Sequence, residues 1–390
     1  MERRRFVAGA FGAASGLVVA GGAGQAWARP GPTAPRAGAL AEWSAVPSPG
    51  SEPGAHLRGV AALGPRAAWA VGEEARPAAG QRGRPLAMRW DGSAWAKADT
   101  SGLKFTGGLL SVAATAPDAV WAVGSAENGS GRLVRWNGTA WRPVDHPGSG
   151  SPDTVLWAVA AGSGREVWVT GRQAGAVRLL HWNGKRWKWL APLPVDQPDA
   201  ASLGSVTVGP GGVVWACGSQ ATGSGVWGGL VARWDGAWTV LPSVGGIRSG
   251  ISDVLAVADD DVWGVGAAFG VGGPPGKPPG SVLAHWDGTA WTYVDDGIGP
   301  GALLGITADD AGRPAWICGW EFWDQKRSAY LRWDGTNWQL VRGPAGDAAP
   351  TPYMYDVTRV PGTSAYLSVG RTGASENPPS TAYSEMTPGA

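Results

Sequence analysis

One stretch, Leu133 to Val144 (LVRWNGTAWRPV), constrains the fold of this chain more than any other, because it returns five more times in light disguise. The copies read MRWDGSAW from Met88, LHWNGKRW from Leu180, ARWDGAW from Ala232, AHWDGTAW from Ala284 and LRWDGTNW from Leu331. Each spells a β-hairpin: a strand ending in Trp, an Asp-Gly or Asn-Gly turn that supplies positive φ, and a second Trp on the returning strand. The two Trp face each other across the turn, and such a cross-strand pair adds roughly 0.5 to 1.5 kcal/mol beyond its burial. Six pairs are a structural device, not six binding sites.

A second motif precedes each hairpin, an alternating strand and a turn followed by Val-Trp-Ala-Val-Gly or a near copy. Its Trp residues are Trp69, Trp121, Trp168, Trp215, Trp263 and Trp316, and a seventh copy, DVTRVPGTSAYLSVG, places Tyr366 at the same position. Intervals of 47 to 53 residues are the period of a propeller or a solenoid. Within one period the reading is strand a from Leu109 to Thr115, strand b from Ala119 to Ser125, a variable b–c loop, strand c from Arg132 to Trp136 and strand d from Trp141 to Val144. Four antiparallel strands per unit make a propeller blade.

The ends of the repeat test the count. The seventh unit offers strands a, b and c (Tyr353 to Thr358, Ala365 to Arg371, Thr381 to Met386) and then lacks strand d, while Glu42 to Pro47 stands unpaired before the first unit and matches a strand d. Pairing the two removes both open sheet edges. The expected fold is therefore all-β: a seven-bladed β-propeller over residues 41–388, with four antiparallel strands per blade and an N-terminal strand completing the last blade.

Composition agrees, with 64 Gly, 31 Pro and 25 Trp among 390 residues, the signature of many short strands and turns. The 32 basic and 31 acidic residues nearly balance, so no electrostatic footprint suggests nucleic acid or an anionic membrane as partner. Residues 1–28 read as a twin-arginine signal peptide: Arg3, Arg4, Arg5 and Phe6, an apolar run from Val7 to Ala20, and Ala26-Trp27-Ala28 before Arg29. Either Arg3-Arg4 or Arg4-Arg5 can serve as the pair. The apolar run is too short to span a bilayer comfortably, so cleavage near Ala28 predicts a secreted, extracellular protein without membrane insertion. Residues 29–40 are Pro- and Gly-rich and read as a flexible leader. Cys217 and Cys318 hold the same repeat position two units apart, which predicts two buried free thiols and no bridge.

The recurring VAATAPDAVWAVG followed by LVRWNGTAW resembles the secreted Trp-rich β-propellers of actinobacteria, over Trp43 to Met386. In architecture and secretion the chain is also similar to the lectin-like propeller subunits of umbrella-shaped antibacterial toxin particles. The resemblance implies recognition outside the cell, of a glycan or of a cell-surface or protein partner, by a monomer or a subunit of a secreted complex. The hairpins lack the sialidase Asp-box, the Gly-His of WD40 blades and the glycine pair of kelch blades.

Of the 25 Trp, those in the hairpins and strands b have structural work, and Trp157, Trp189, Trp227, Trp320 and Trp323 remain. With this strand order the d–a and b–c loops share one face, which commonly binds ligands. Trp227, Trp320 and Trp323 fall in b–c loops there. Trp157 aligns with Arg58 and Tyr355 at a variable position early in strand a, and Trp189 reads as packing. The blade-six loop gathers Trp320, Glu321, Phe322, Trp323, Asp324, Lys326 and Arg327. Aromatic faces beside polar groups suit sugar rings, and the same residues could anchor a protein partner; the other reading is a loop folded over its own aromatics. The predicted ligand-binding set is thus Trp320, Glu321, Phe322, Trp323, Asp324, Arg327, Tyr355, Arg58, Trp157 and Trp227.

Asp253 and Asp356 share a repeat position on strand a of blades five and seven, too far around the ring to suggest an acid/base pair, and read as channel-lining acids. His181 and His285 alternate with Arg before the hairpin Trp, a stacking or salt-bridge position rather than a metal site. Asp259 to Asp261 lack calcium-loop spacing. No cofactor and no metal is expected. The sequence reads as a secreted, non-catalytic, lectin-like binding module; the alternatives are a propeller glycosidase or lyase using channel acids, or a protein-interaction scaffold.

Overall fold

The computed structural model describes residues 43–77, 81–221, 227–244, 249–268, 280–298, 301–345, 351–373 and 379–389. The signal peptide (1–28) and leader (29–40) read from the sequence lie outside the described residues. Seven four-stranded antiparallel sheets form the ring of a seven-bladed β-propeller, each sheet ordered a-b-c-d from the channel outward. Blade one consists of His56–Gly64, Ala67–Glu74, Arg84–Trp90 and Trp95–Lys97, and blade six of Gly301–Ala308, Pro314–Glu321, Ala329–Trp333 and Trp338–Arg342. Blade seven takes Pro352–Arg359, Tyr366–Thr372 and Thr381–Met386 from one end of the repeat and Ser44–Ala45 from the other. Ser44 lies opposite Met386 and Ala45 opposite Glu385. Trp43, fully buried, stacks on Tyr330 at 4.0 Å and meets Trp316 edge-on at 5.1 Å. Among the described residues, no helix is long and apolar enough to cross a membrane.

Each predicted hairpin places its two Trp directly opposite one another, with ring centroids 5.3 to 6.1 Å apart. The turn glycine has φ between +83° and +111° in all six, which a Cβ would penalise. The Asp or Asn before it has a separate job. In blade five the Asp287 carboxylate accepts the Thr289 hydroxyl and the Ala290 and Thr289 amides at 2.7 to 2.8 Å, and these bonds hold its pKa down at about 2.

Strand-b Trp residues knit neighbouring blades. Trp69 of blade one packs on Trp136 and Trp141 of blade two at 4.8 and 5.3 Å, and Trp263 of blade five on Trp333 and Trp338 of blade six at 5.3 and 5.6 Å. In blade seven this place belongs to Leu367, not Tyr366 as the sequence suggested. Leu367 shares a buried cluster with Trp90 and Trp95 of blade one, whereas Tyr366 turns back toward Trp316, 6.2 Å away. The alignment slipped by one residue, and in a strand that slip exchanges faces. The position before the hairpin Trp stacks as expected: His181 lies on Trp168 at 3.8 Å and the Arg135 guanidinium over Trp121 at 5.0 Å.

Every innermost strand carries a β-bulge at one repeat position, marked by a register shift across Arg58, Leu110, Trp157, Gly204, Ser252, Leu304 and Tyr355. The last residue of the Val-Trp-Ala-Val-Gly motif explains why it is always glycine. A Cβ on Gly72, Gly124, Gly171, Gly218, Gly266, Gly319 or Gly370 would overlap the strand-a carbonyl two residues before the bulge. A bulge also re-aims the side chain it carries.

Candidate functional site

The antiparallel meander puts all b–c and d–a loops at one end of the propeller. Its inner collar is a ring of strand-a/strand-b pairs, two residues before the bulge: His56·Glu73, Gly108·Ser125, Val155·Arg172, Ser202·Ser219, Gly250·Ala267, Ala302·Trp320 and Tyr353·Arg371. Blades two, four and five contribute small side chains. Blades six, seven and one contribute large aromatic or charged ones.

On blade six, the loop after strand b is pinned at both ends. Glu321 is buried and ion-paired with Arg342 of strand d. At the far end the buried Ser328 hydroxyl donates to Glu385 of blade seven at 2.8 Å. Between them, Arg327 holds Asp324 through two hydrogen bonds of 2.9 and 2.7 Å, and Arg342 lies 3.8 Å from the same carboxylate. Burial would raise the Asp324 carboxyl, but Arg327 and the Lys326 amide carry it below the usual carboxylate range. The charges are therefore the loop's scaffold. What the scaffold presents is Phe322 and Trp323, 42 % and 62 % exposed, edge to face at 5.1 Å. The loop is not folded over its own aromatics.

Trp320, half-buried at the end of strand b, reaches into the collar and meets Tyr353 of blade seven at 5.3 Å. The Arg371 guanidinium lies 5.0 Å from the Tyr353 ring centre, and that of Arg58, from blade one, 4.4 Å from the Tyr355 ring centre. His56, isolated in the sequence, sits 6.4 Å from Tyr355 and 3.9 Å from the Glu73 carboxylate. Burial and the charges of Arg58, Arg76, Arg371 and Arg82 drive the His56 pKa well below its ordinary value. The structure thus brings Trp320, Tyr355 and Arg58 into one continuous corner across blades six, seven and one, beside the Phe322–Trp323 loop.

Trp157 and Trp227 stand apart, on blades three and four. Trp157 packs beside Val195 and Trp238 with Arg172 over its ring at 5.9 Å, and Trp227 is 44 % exposed at the start of its strand c. Trp189 donates its indole N–H to the Pro147 carbonyl at 2.7 Å, a packing role. Sequence reasoning missed Tyr353, Arg371 and His56. The signal was present: Tyr353 and His56 hold a repeat position where other blades have Gly, Ser, Ala or Val.

Deeper in the channel, a cavity of about 240 Å³ is lined by Asp253, Asp356, Ser111, Ser205 and Thr307 among others. Both acids clamp blades together. Asp253 accepts the Ile306 amide of blade six at 3.0 Å and the Ser205 hydroxyl of blade four at 2.7 Å, and Asp356 accepts the Val60 amide of blade one at 2.8 Å. Burial raises the Asp253 carboxyl, while burial and the Asp253 charge push Asp356 to about 8. Cys217 and Cys318 are buried and unbonded. Among the described residues, no three His, Cys, Asp or Glu gather in a metal-binding arrangement.

No protein-family model and no curated protein matches this chain. Solved structures do. YCF48 from Cyanidioschyzon merolae is 15 % identical, with a TM-score of 0.59 over 89 % of this chain and 99 % of that one. YCF48 bound to D1 peptide is 13 % identical, with a TM-score of 0.56 over 90 % of this chain and 97 % of that one. SapL1 lectin in complex with alpha methyl fucoside is 14 % identical over 83 % of this chain and 90 % of that one, with a TM-score of 0.39. At such identities the likeness to the two YCF48 structures bears on the propeller fold and nothing finer.

Proposed function

We propose that this chain is a secreted, non-catalytic recognition propeller of the Trp-rich kind it resembles, exported by the twin-arginine route, and that it binds glycan on the b–c and d–a loop face. The observation that carries the reading is the blade-six loop. Two large aromatics stand in solvent on a backbone held by a network of ion pairs and buried hydrogen bonds. Keeping an indole in water forgoes burial worth roughly 1.5 to 3 kcal/mol for a large apolar side chain, so a shared scaffold has no use for it. A residue found in one blade only is free to serve a ligand. A rigid, exposed aromatic pair offers stacking faces to the C–H surface of a sugar ring at small entropic cost.

The chemistry of the channel favours binding over turnover. Asp253 and Asp356 each have one oxygen engaged by the backbone amide of a neighbouring blade and the other by the amide of the next residue, so both are structural clamps in this reading. The test is a glycan array followed by titration of the best hit. Trp323→Ala and Trp320→Ala should each weaken binding more than tenfold, about 1.4 kcal/mol. Trp323→Ala should leave the melting temperature unaltered, while Trp320→Ala, which also loses the contact with Tyr353, should lower it modestly and stay folded. Normal binding by both folded variants, or turnover of a bound glycan, would refute the proposal.

A further inference from the structure

The corner between blades seven and one holds an imbalance of charge. Glu73 is fully occupied: it accepts the Gly83 amide at 2.6 Å, pairs with Arg82 at 3.3 Å and faces His56 at 3.9 Å. Arg58 and Arg371 have no such partner. The Nε atom of each is buried and makes no hydrogen bond among the described residues, and Arg371 is only 8 % exposed. Each guanidinium instead lies over a tyrosine ring. They also repel one another: burial lowers the Arg58 pKa and the charges of Arg371 and Arg76 lower it further, while Tyr355 and the Glu73 carboxylate oppose this without reversing it. Arg172, at the repeat position of Arg371 in blade three, shows what the scaffold does with such a residue when it is structural. Its Nε is likewise without a partner, but its Nη2 donates to the Ala201, Asp199 and Pro198 carbonyls at 2.6, 3.0 and 3.2 Å, whereas no such bond is made by Arg58 or Arg371 among the described residues.

Two partly desolvated cations side by side, neither ion-paired nor hydrogen-bonded among the described residues, carry a cost that a bound anion would relieve. A fold keeps such a pair where a ligand completes it. Guanidinium is planar and permanently charged, and with Nε buried each arginine still offers its two Nη–H ends, which a carboxylate can meet with two parallel hydrogen bonds. The aromatic lining, Trp320 against Tyr353 and Tyr355 under Arg58, supplies apolar faces beside that charge.

We propose that Arg58 and Arg371 form a site for the carboxylate of an acidic sugar, so that the glycan this face takes contains a uronic acid. The inference rests on the glycan reading above and sharpens it. Trp320, Tyr353 and Tyr355 hold the ring while the arginine pair reads the charge. Burial is the first cause of the lowered His56 pKa, and the charges of Arg58 and Arg371 add to it; a bound carboxylate offsets those charges, so the His56 pKa rises on binding.

The test is calorimetric titration of the mature protein with methyl β-D-glucuronoside and with methyl β-D-glucoside in low salt, alongside an NMR pH titration of His56. The glucuronoside should bind at least tenfold more tightly, and Arg58→Gln and Arg371→Gln should each cost that preference tenfold or more while melting no lower than the parent. Loss of the preference, with the glucoside affinity kept, separates charge reading from a folding defect. Equal affinity for the two sugars overturns the carboxylate site and leaves the glycan reading intact. Inorganic sulfate binding as tightly as the glucuronoside also overturns it, as does a His56 pKa unmoved by saturating glucuronoside. If no glycan binds and a peptide C-terminus binds through the arginines instead, both readings fail.

Discussion

Ring closure buries one large side chain. The N-terminal strand attaches through the Ser44–Ala45 ladder and the Val46 amide, which donates to the Ser384 carbonyl at 2.9 Å, with further bonds at Ser48, Ser51, Gly54 and Ala55, and Trp43 is its largest buried side chain. It is completely buried between blades six and seven, stacked on Tyr330 at 4.0 Å and edge-on to Trp316 at 5.1 Å. Truncating a Trp in such a site costs about 3 to 5 kcal/mol, from lost transfer energy and the cavity left behind. Unfolding entropy is about 2.1 cal/mol/K per residue, or roughly 0.7 kcal/mol/K for a propeller of about 350 residues. Trp43→Ala should therefore lower the melting temperature by about 4 to 7 °C, followed by far-UV circular dichroism and tryptophan fluorescence. Freed from the ring, the Thr381–Met386 strand becomes an open edge, so the variant should also aggregate on heating. Trp323→Ala, which removes an exposed indole, is the control and should melt within about 1 °C of the parent. A Trp43→Ala protein that also melts within about 1 °C, with no new aggregation, would refute closure by this strand.

Two further outcomes follow from buried ionisable groups. Asp356 is raised from 3.8 to about 8, so the folded state holds its proton more tightly than the unfolded chain does; its contribution is complete below about pH 4 and lost as pH rises through 8. The Asp356 contribution to the melting temperature should decline between about pH 4 and pH 8, and Asp356→Asn should flatten that decline; an unchanged slope would show that Asp356 is ionised throughout. Cys217 and Cys318 are unbonded, and burial pushes both thiols well above their ordinary value, so thiol titration should count none in the native protein and two after non-reducing unfolding, and any reactive native thiol would contradict their burial.

The architecture was legible because repetition turns weak local signals into a strong one. Six Asp-Gly or Asn-Gly hairpins flanked by Trp fixed strands c and d, and the recurring Trp and Gly fixed strand b and its spacing. The missing seventh strand d and the unpaired Glu42–Pro47 segment then located the closure without reference to any contact. Repetition failed where the copy degenerates: in AYLSVG no Trp marks the face, and only the strand pairing showed that Leu367, not Tyr366, packs on blade one.

The site was half legible for the complementary reason. Residues present in one blade only stand out against a repeat, which singled out the blade-six loop, Arg58 and Tyr355. Their company could not be read in the same way, because Trp320, Tyr353, Arg371, Arg58 and His56 come from three blades and meet only when the chain's two ends bring blade seven against blade one. The roles of the loop charges also waited for the fold. Glu321, Asp324 and Arg327 look like ligand-binding groups in the sequence, yet buried pairing with Arg342 and mutual ion pairing make them the frame for Phe322 and Trp323. Local order, turns and strand faces follow from short-range sterics and periodicity, which the chain carries in every copy. Which charges find partners and which are left bare depends on burial and on distances across blades, and those exist only once the ring has closed.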